Sequence, residues 1–209
     1  MRLLPDDVLL VMDVQCDFLP GGALAVPEGD AVVAPINRLS TLFDHVLLTQ
    51  DWHPAGHISF AASHPGRAPF ETVALPYGDQ VLWPTHCVQG APGAALAPGL
   101  DLPRAELVIR KGFHPDVDSY SAFTEADRRT PTGLAGYLRE RGLRRLFLVG
   151  LATDFCVAWS ALDARAAGFD AFVIEDACRG IDFQGSLERA WRDMAQAGVE
   201  QLSGIGARG

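Results

Sequence analysis

A strand, a turn and a helix are predicted in one segment of the chain, RRLFLVGLATDFCVAWSALDARAAG, residues 144–168. The apolar run that ends at Gly150 predicts a buried strand, and the spacing of apolar residues after Cys156 predicts a helix. Thr153 or Asp154 stands where a helix N-cap is expected, which would place Cys156 in the first turn. Because the dipole there favours an anion, we expect the thiol to ionise readily. The alternative is a small, buried, inert cysteine.

The rest of the chain repeats this alternation of strands and helices. Continuous apolar runs typical of buried parallel strands occur at DVLLVMDVQ, HVLLTQ, ELVIRKG and FDAFVIEDACRG, and VEQLSG is a short last strand. Helical patterns occur at residues 30–43, with Asp30 as N-cap, at PTGLAGYLRERG and at GSLERAWRDMAQAG. The pattern predicts βαβ units, and therefore an α/β fold around a parallel sheet.

One domain is expected from a length of 209 residues with 48% hydrophobic residues. A long segment rich in Pro, Gly and His, residues 51–104, is predicted to be a structureless insertion that carries function.

The net charge and the apolar runs exclude two classes of partner. A formal charge of −9 argues against nucleic acid and against an anionic membrane surface, and no apolar run reaches the ~18 residues of a membrane span. The four cysteines are widely spaced and form no CxxC pair, which favours free thiols in a reducing cytoplasm.

Three reactive side chains follow predicted strands, at the sheet edge where ligands bind in such folds. Asp13, Lys111 and Cys156 each stand at or just after the end of an apolar run. The carboxylate could take the thiol proton, and the ammonium could hold the thiolate and orient the carboxylate. The alternative is a structural Asp–Lys pair beside an inert cysteine.

A second group suits a metal ion. In DWH, Asp51 and His53 point to the same side of an extended chain, and His86 in WPTHCVQG brings a further imidazole. Two imidazoles and a carboxylate suit a divalent transition metal with open positions. Surface histidines are the alternative. A flat ring could sit between Phe18 and Trp83, although core packing explains most single aromatic residues.

Five motifs in order resemble one enzyme family. MDVQCDFLPGGALAV, TQDWHPAGHISFAASH, LWPTHCVQG, RKGFHPDVDSYSAF and GLATDFCV together are similar to the bacterial nicotinamidases (pyrazinamidases) of the isochorismatase-like cysteine-hydrolase superfamily. The resemblance implies a single three-layer domain over residues 1–209. It also implies a six-stranded, mostly parallel sheet of order 3-2-1-4-5-6 with helices on both faces.

The resemblance implies hydrolysis of nicotinamide to nicotinate and ammonia, with pyrazinamide as a second substrate. It makes Asp13 the general base, Lys111 its electrostatic partner and Cys156 the nucleophile. The N–H groups of Ala152 and Cys156 would form the oxyanion hole, beside a cis peptide bond at Leu151–Ala152. Phe18, Trp83 and Tyr120 would bind the substrate ring.

The resemblance makes Asp51, His53 and His86 the ligands of one divalent metal, with zinc expected first and iron or manganese as alternatives. Some relatives carry a histidine where this chain has Ser59, so Ser59 is a candidate for contact through a water, and His57 need not point inward. The family tends to self-associate, which leaves a homo-oligomer open. The alternative functions are a metal-independent amidohydrolase acting on another small amide, such as an N-carbamoyl compound, and a non-catalytic ligand-binding protein.

Overall fold

The computed structural model describes residues 2–205 and shows a central sheet of six strands. These are β1 (Asp7–Met12), β2 (His45–Asp51), β5 (Ala105–Lys111), β6 (Arg145–Leu151), β7 (Asp170–Arg179) and β8 (Glu200–Leu202). Their spatial order is β5-β2-β1-β6-β7-β8, and every neighbouring pair is parallel. The predicted fold class and strand order are confirmed.

Helices cover both faces of this sheet because side chains of the central strands alternate between two hydrophobic clusters. Leu9 and Val11 of β1 pack on the face covered by α1 (Val33–Ser40). Val8 and Leu10 pack on the opposite face. That face is covered by three helices, namely α2 (Leu134–Glu140), α3 (Ala158–Ala166) and α4 (Ser186–Gln196).

The insertion is not structureless, so this prediction is wrong. Between β2 and β5 the chain forms an antiparallel hairpin of β3 (Thr72–Leu75) and β4 (Gly78–Val81), separate from the main sheet. Its strands have four residues each, and their periodicity is too short to stand out in a Pro- and Gly-rich segment.

Both N-cap predictions are wrong as well. A 3₁₀ turn, Gly29–Val32, precedes α1, and the N-cap of α1 is Val32 rather than Asp30. At the central segment, a π-helical turn, Thr153–Val157, precedes α3, with Ala152 at its start and no side-chain cap. The Asp154 carboxylate instead accepts hydrogen bonds from the backbone N–H groups of Ile181 and Asp182, and from Ser186.

Two sequence expectations can be compared directly with the structure. Among residues 2–205, no helix is long and apolar enough to cross a bilayer. All four cysteines lie in this described range and are free thiols.

Candidate active site and metal site

The predicted reactive residues meet at the carboxyl ends of the central strands. Asp13 directly follows β1, Asp51 ends β2, Lys111 ends β5, and Cys156 lies in the turn after β6. Because parallel strands bring these ends to one edge, residues far apart in sequence become neighbours. All four side chains are buried.

Lys111 is the centre of this cluster and has no exposed surface. Its Nζ lies 2.9 Å from Oδ2 of Asp13 and 3.3 Å from Sγ of Cys156. The same ammonium donates to Oδ1 of Asp51 and, at 3.0 Å, to the backbone carbonyl of Ser119. Lys111 is also the only lysine in the chain. The sequence linked this lysine to Asp13 but not to Asp51.

The two carboxylates in contact with Lys111 have opposite pKa shifts. Burial raises the pKa of Asp13 above its usual range although Lys111 opposes the shift. Burial also acts to raise the pKa of Asp51, but Lys111 and then His53 outweigh it and bring that pKa well below its usual range. Environments that separate two carboxyl pKa values commonly mark separate roles. Asp51 suits a permanently ionised metal ligand, and Asp13, with its raised pKa, suits a general base.

The surroundings of Cys156 favour the protonated thiol, contrary to the expectation drawn from a helix N-terminus. Burial raises the pKa of Cys156 well above its usual range, and Lys111 offsets this only in part because Asp13 and Asp51 act against it. One ammonium already compensates two carboxylates, so a thiolate would add uncompensated buried charge. A nucleophilic role for Cys156 would therefore require a base at the moment of attack.

Asp51, His53 and His86 form a compact set of metal-ligand atoms within 4.8 Å of one another. Oδ2 of Asp51 lies 3.7 Å from Nε2 of His53 and 4.0 Å from Nε2 of His86. Both histidines bond backbone carbonyls through Nδ1, His53 to Gly112 at 2.8 Å and His86 to Pro84 at 2.8 Å.

These hydrogen bonds show that the donor set fits a divalent transition metal. A carbonyl can only accept, so Nδ1 of each ring carries a hydrogen, and Nε2, which faces Oδ2 of Asp51, is the nitrogen left to coordinate a metal. Gly112 is required for this arrangement, because a Cβ there would collide with the His53 ring. The set has two nitrogens and one carboxylate oxygen, a composition found in catalytic zinc sites.

Two residues that no sequence motif indicated orient these side chains. Thr49 donates to Oδ1 of Asp13 at 2.6 Å and accepts from the Asp13 N–H at 3.1 Å. The Gln15 side chain accepts from the Asp51 N–H at 2.8 Å and donates to the Asp51 carbonyl at 2.9 Å. Thr49 lies within β2 and Gln15 lies three residues beyond β1, and a buried polar residue beside an apolar run is the one available signal.

The region around Ser59 is organised by His57, which is buried. The His57 ring packs 4.3 Å from that of His53, centroid to centroid. Its Nε2 is 3.2 Å from the Val117 carbonyl, and Nδ1 is 2.7 Å from Oγ of Ser59. His57 therefore does point inward, with both ring nitrogens engaged. Contact of Ser59 with a metal through a water stays a prediction.

A partly open cavity adjoins both groups. The predicted ring-binding residues Phe18, Trp83 and Tyr120 line it together with Cys156 and the three metal-ligand candidates. Sequence analysis did not single out the other lining residues, which are Leu24, Asp118, Phe155 and Ile181. Ala152 also lines the cavity, and the Leu151–Ala152 peptide bond is cis, as expected. The oxyanion role of the Ala152 and Cys156 N–H groups stays a prediction.

The fold and this site define a class of protein: the chain belongs to the isochorismatase domain family, which it matches over residues 7–205. It is 60% identical to the nicotinamidase of Acinetobacter baylyi, over 93% of this chain and 91% of that protein.

Solved structures agree with this assignment. The nicotinamidase/pyrazinamidase of Acinetobacter baumannii superposes with a TM-score of 0.95 at 58% identity, covering 96% of this chain and 97% of that one. A pyrazinamidase of Pyrococcus horikoshii in complex with zinc superposes with a TM-score of 0.75 at 36% identity, covering 95% and 99%.

Proposed function

We propose that this protein is a nicotinamidase, which hydrolyses nicotinamide to nicotinate and ammonia and also cleaves pyrazinamide. The observation that carries the proposal is the position of Lys111 Nζ, which contacts Asp13, Cys156 and the metal-ligand candidate Asp51. One buried ammonium thus joins a thiol nucleophile and its base to a transition-metal site beside one cavity. Relatives bearing the nicotinamidase name support the substrate.

The first half of the reaction forms a thioester on Cys156. Asp13 accepts the thiol proton while sulfur bonds to the amide carbon. The oxyanion is stabilised by the N–H groups of Ala152 and Cys156, each worth ~3 kcal/mol in comparable sites. Asp13 then returns the proton to the amide nitrogen, the carbon–nitrogen bond breaks, and ammonia leaves.

The second half hydrolyses that thioester. Asp13, again a carboxylate, takes a proton from water as the water oxygen bonds to the carbonyl carbon. The carbon–sulfur bond breaks and the sulfur regains the proton, which releases nicotinic acid; this acid loses its proton to water and becomes nicotinate. Lys111 stays charged throughout because the neighbouring carboxylates raise its pKa well above the usual range although burial opposes them.

Asp51, His53 and His86 would hold one divalent metal, which we propose to be zinc. When bound, the ion would supply a positive centre that orients the pyridine nitrogen. Phe18 and Trp83 would bind the two faces of the ring, with Tyr120 beside them. We also propose that the protein is cytoplasmic and forms a single domain. Its principal partner would be its small-molecule substrate.

The test is ammonia release from nicotinamide and pyrazinamide, measured on zinc-loaded and chelated protein. We expect both substrates to be cleaved by the loaded protein and activity to fall on chelation. His53→Ala should lose bound metal, measured by elemental analysis. His45→Ala is the matched control, because His45 pairs with Glu106 at a partly exposed position away from the site. Full activity in chelated protein would refute the role of the metal, and no ammonia release from either substrate would refute the function.

A further inference from the structure

The hairpin β3–β4 contains a buried polar side chain that the reaction does not explain. Gln80 is 2% exposed, whereas its neighbours Gly78 and Asp79 on β4 are exposed. A glutamine at the buried position of a peripheral hairpin must have its amide satisfied, so its partners show what it holds.

The Gln80 amide connects the hairpin to the wall of the cavity. Its Nε2 lies 3.1 Å from the Tyr120 hydroxyl, 2.9 Å from Oδ2 of Asp118 and 2.7 Å from the Val81 carbonyl. Its Oε1 accepts from the Tyr77 hydroxyl at 3.1 Å. Two of these partners, Tyr120 and Asp118, line the cavity.

The Tyr120 hydroxyl is also bonded to a second cavity residue. It accepts from Nε1 of Trp83 at 2.9 Å, so Gln80 and Trp83 both donate to one oxygen. The Trp83 ring in turn packs edge-on against Phe155, with centroids 5.0 Å apart. Burial, and then Asp118, raise the pKa of Tyr120 well above its usual range, which keeps the hydroxyl neutral. The orientation of both rings thus depends on the Tyr120 hydroxyl oxygen, which accepts a hydrogen bond from Gln80.

We propose that Gln80 is a positioning residue for substrate binding: through the Tyr120 hydroxyl, it fixes the Tyr120 and Trp83 rings that contact the ring of the substrate. The inference rests on the proposed function and deepens it. It also gives the hairpin a role, which is to support the aromatic half of the pocket. Gln80 does not contact the reacting atoms, so it should affect how tightly the ring is held more than the chemical steps.

The first test is steady-state kinetics of Gln80→Leu with nicotinamide in the metal-loaded enzyme. Leucine removes the amide at similar volume, and loss of a hydrogen bond of this kind should raise KM about three- to tenfold. We expect kcat to stay within about twofold of wild type. Asp79→Asn is the control, because Asp79 is exposed on the same strand and should change neither constant.

A double-mutant cycle then tests whether Gln80 acts through the Tyr120 hydroxyl. Tyr120→Phe alone should reproduce the rise in KM, and Gln80→Leu should add little in the Tyr120→Phe background because the shared oxygen is already gone. If Gln80→Leu does not fold, Gln80→Met takes its place in the cycle. Unchanged KM in a folded Gln80 variant, or effects that multiply fully in the double variant, would overturn this inference. A wild-type protein without turnover would instead refute the proposed function.

Discussion

Lys111 donates a hydrogen bond to Oδ1 of Asp51, and both side chains are buried. The bond engages one carboxylate oxygen, and the other, Oδ2, faces the Nε2 atoms of His53 and His86. The same ammonium lies 3.3 Å from the sulfur of Cys156. The orientation of the proposed metal ligand and the electrostatics of the proposed nucleophile therefore depend on one side chain.

Because Lys111 is buried, its amine should be unreactive in the folded protein. We expect an amine-acylating reagent to leave this lysine unmodified in the folded protein and to modify it after denaturation in urea, because acylation requires access to a neutral amine. Peptide mass spectrometry can follow it unambiguously, as the chain has no other lysine. Rapid acylation of the folded protein would contradict the buried ion pairs.

The hydrogen bond from Thr49 should support Asp13 in its proposed role as general base. Thr49→Val keeps the side-chain shape but removes the donor to Oδ1 of Asp13, which leaves a buried carboxylate oxygen unsatisfied. We expect kcat/KM for nicotinamide to fall about ten- to a hundredfold. In the control Thr41→Val, the lost hydroxyl bonds the Arg38 carbonyl at an exposed position, and activity should be unchanged. Wild-type kinetics in Thr49→Val would show that this hydrogen bond does not orient the base.

The Asp154 side chain links the turn that contains Cys156 to a loop that lines the cavity. Its carboxylate holds the N–H groups of Ile181 and Asp182 at 2.9 and 2.8 Å, and Ile181 lines the cavity. The loop needs such support because Asp182 and Gln184 have left-handed φ angles of 55° and 52°, which non-glycine residues rarely adopt.

Replacement of Asp154 by asparagine should therefore loosen the loop. An amide has one acceptor oxygen where the carboxylate has two, so Asp154→Asn loses at least one of these bonds. We expect the melting temperature to fall by several degrees and KM for nicotinamide to rise about tenfold. Glu188→Gln, at an exposed position in the first turn of α4, is the control. Equal melting temperatures and equal KM values for Asp154→Asn and its control would contradict this role.

The sequence was informative where chemistry coincides with the ends of strands. Asp13, Lys111 and Cys156 each interrupt or end an apolar run, and the parallel-sheet rule then places them at one edge. Strand order and site residues beyond this came from the family resemblance, since periodicity does not determine which strands pair.

The remaining features depend on tertiary contacts between distant residues. Asp154 occupies a position typical of an N-cap, but its carboxylate bonds a loop nearly thirty residues later in the chain. The Cys156 thiol lies near the start of a helix, yet burial and two nearby carboxylates outweigh the dipole and raise its pKa. The role of Gln80 follows from contact with Tyr120, forty residues away.

The central claim is that Cys156 is the nucleophile, and Cys156→Ala tests it most directly. Nicotinate and ammonia formation from nicotinamide would be measured for wild type, Cys156→Ala and the control Cys178→Ala, all at equal metal content. Cys178 does not line the cavity, and burial raises its pKa to about 12, so its loss should leave turnover intact. We predict equimolar products from wild type and Cys178→Ala, and less than about one-hundredth of that rate from Cys156→Ala. A higher rate in folded Cys156→Ala would contradict the thioester mechanism.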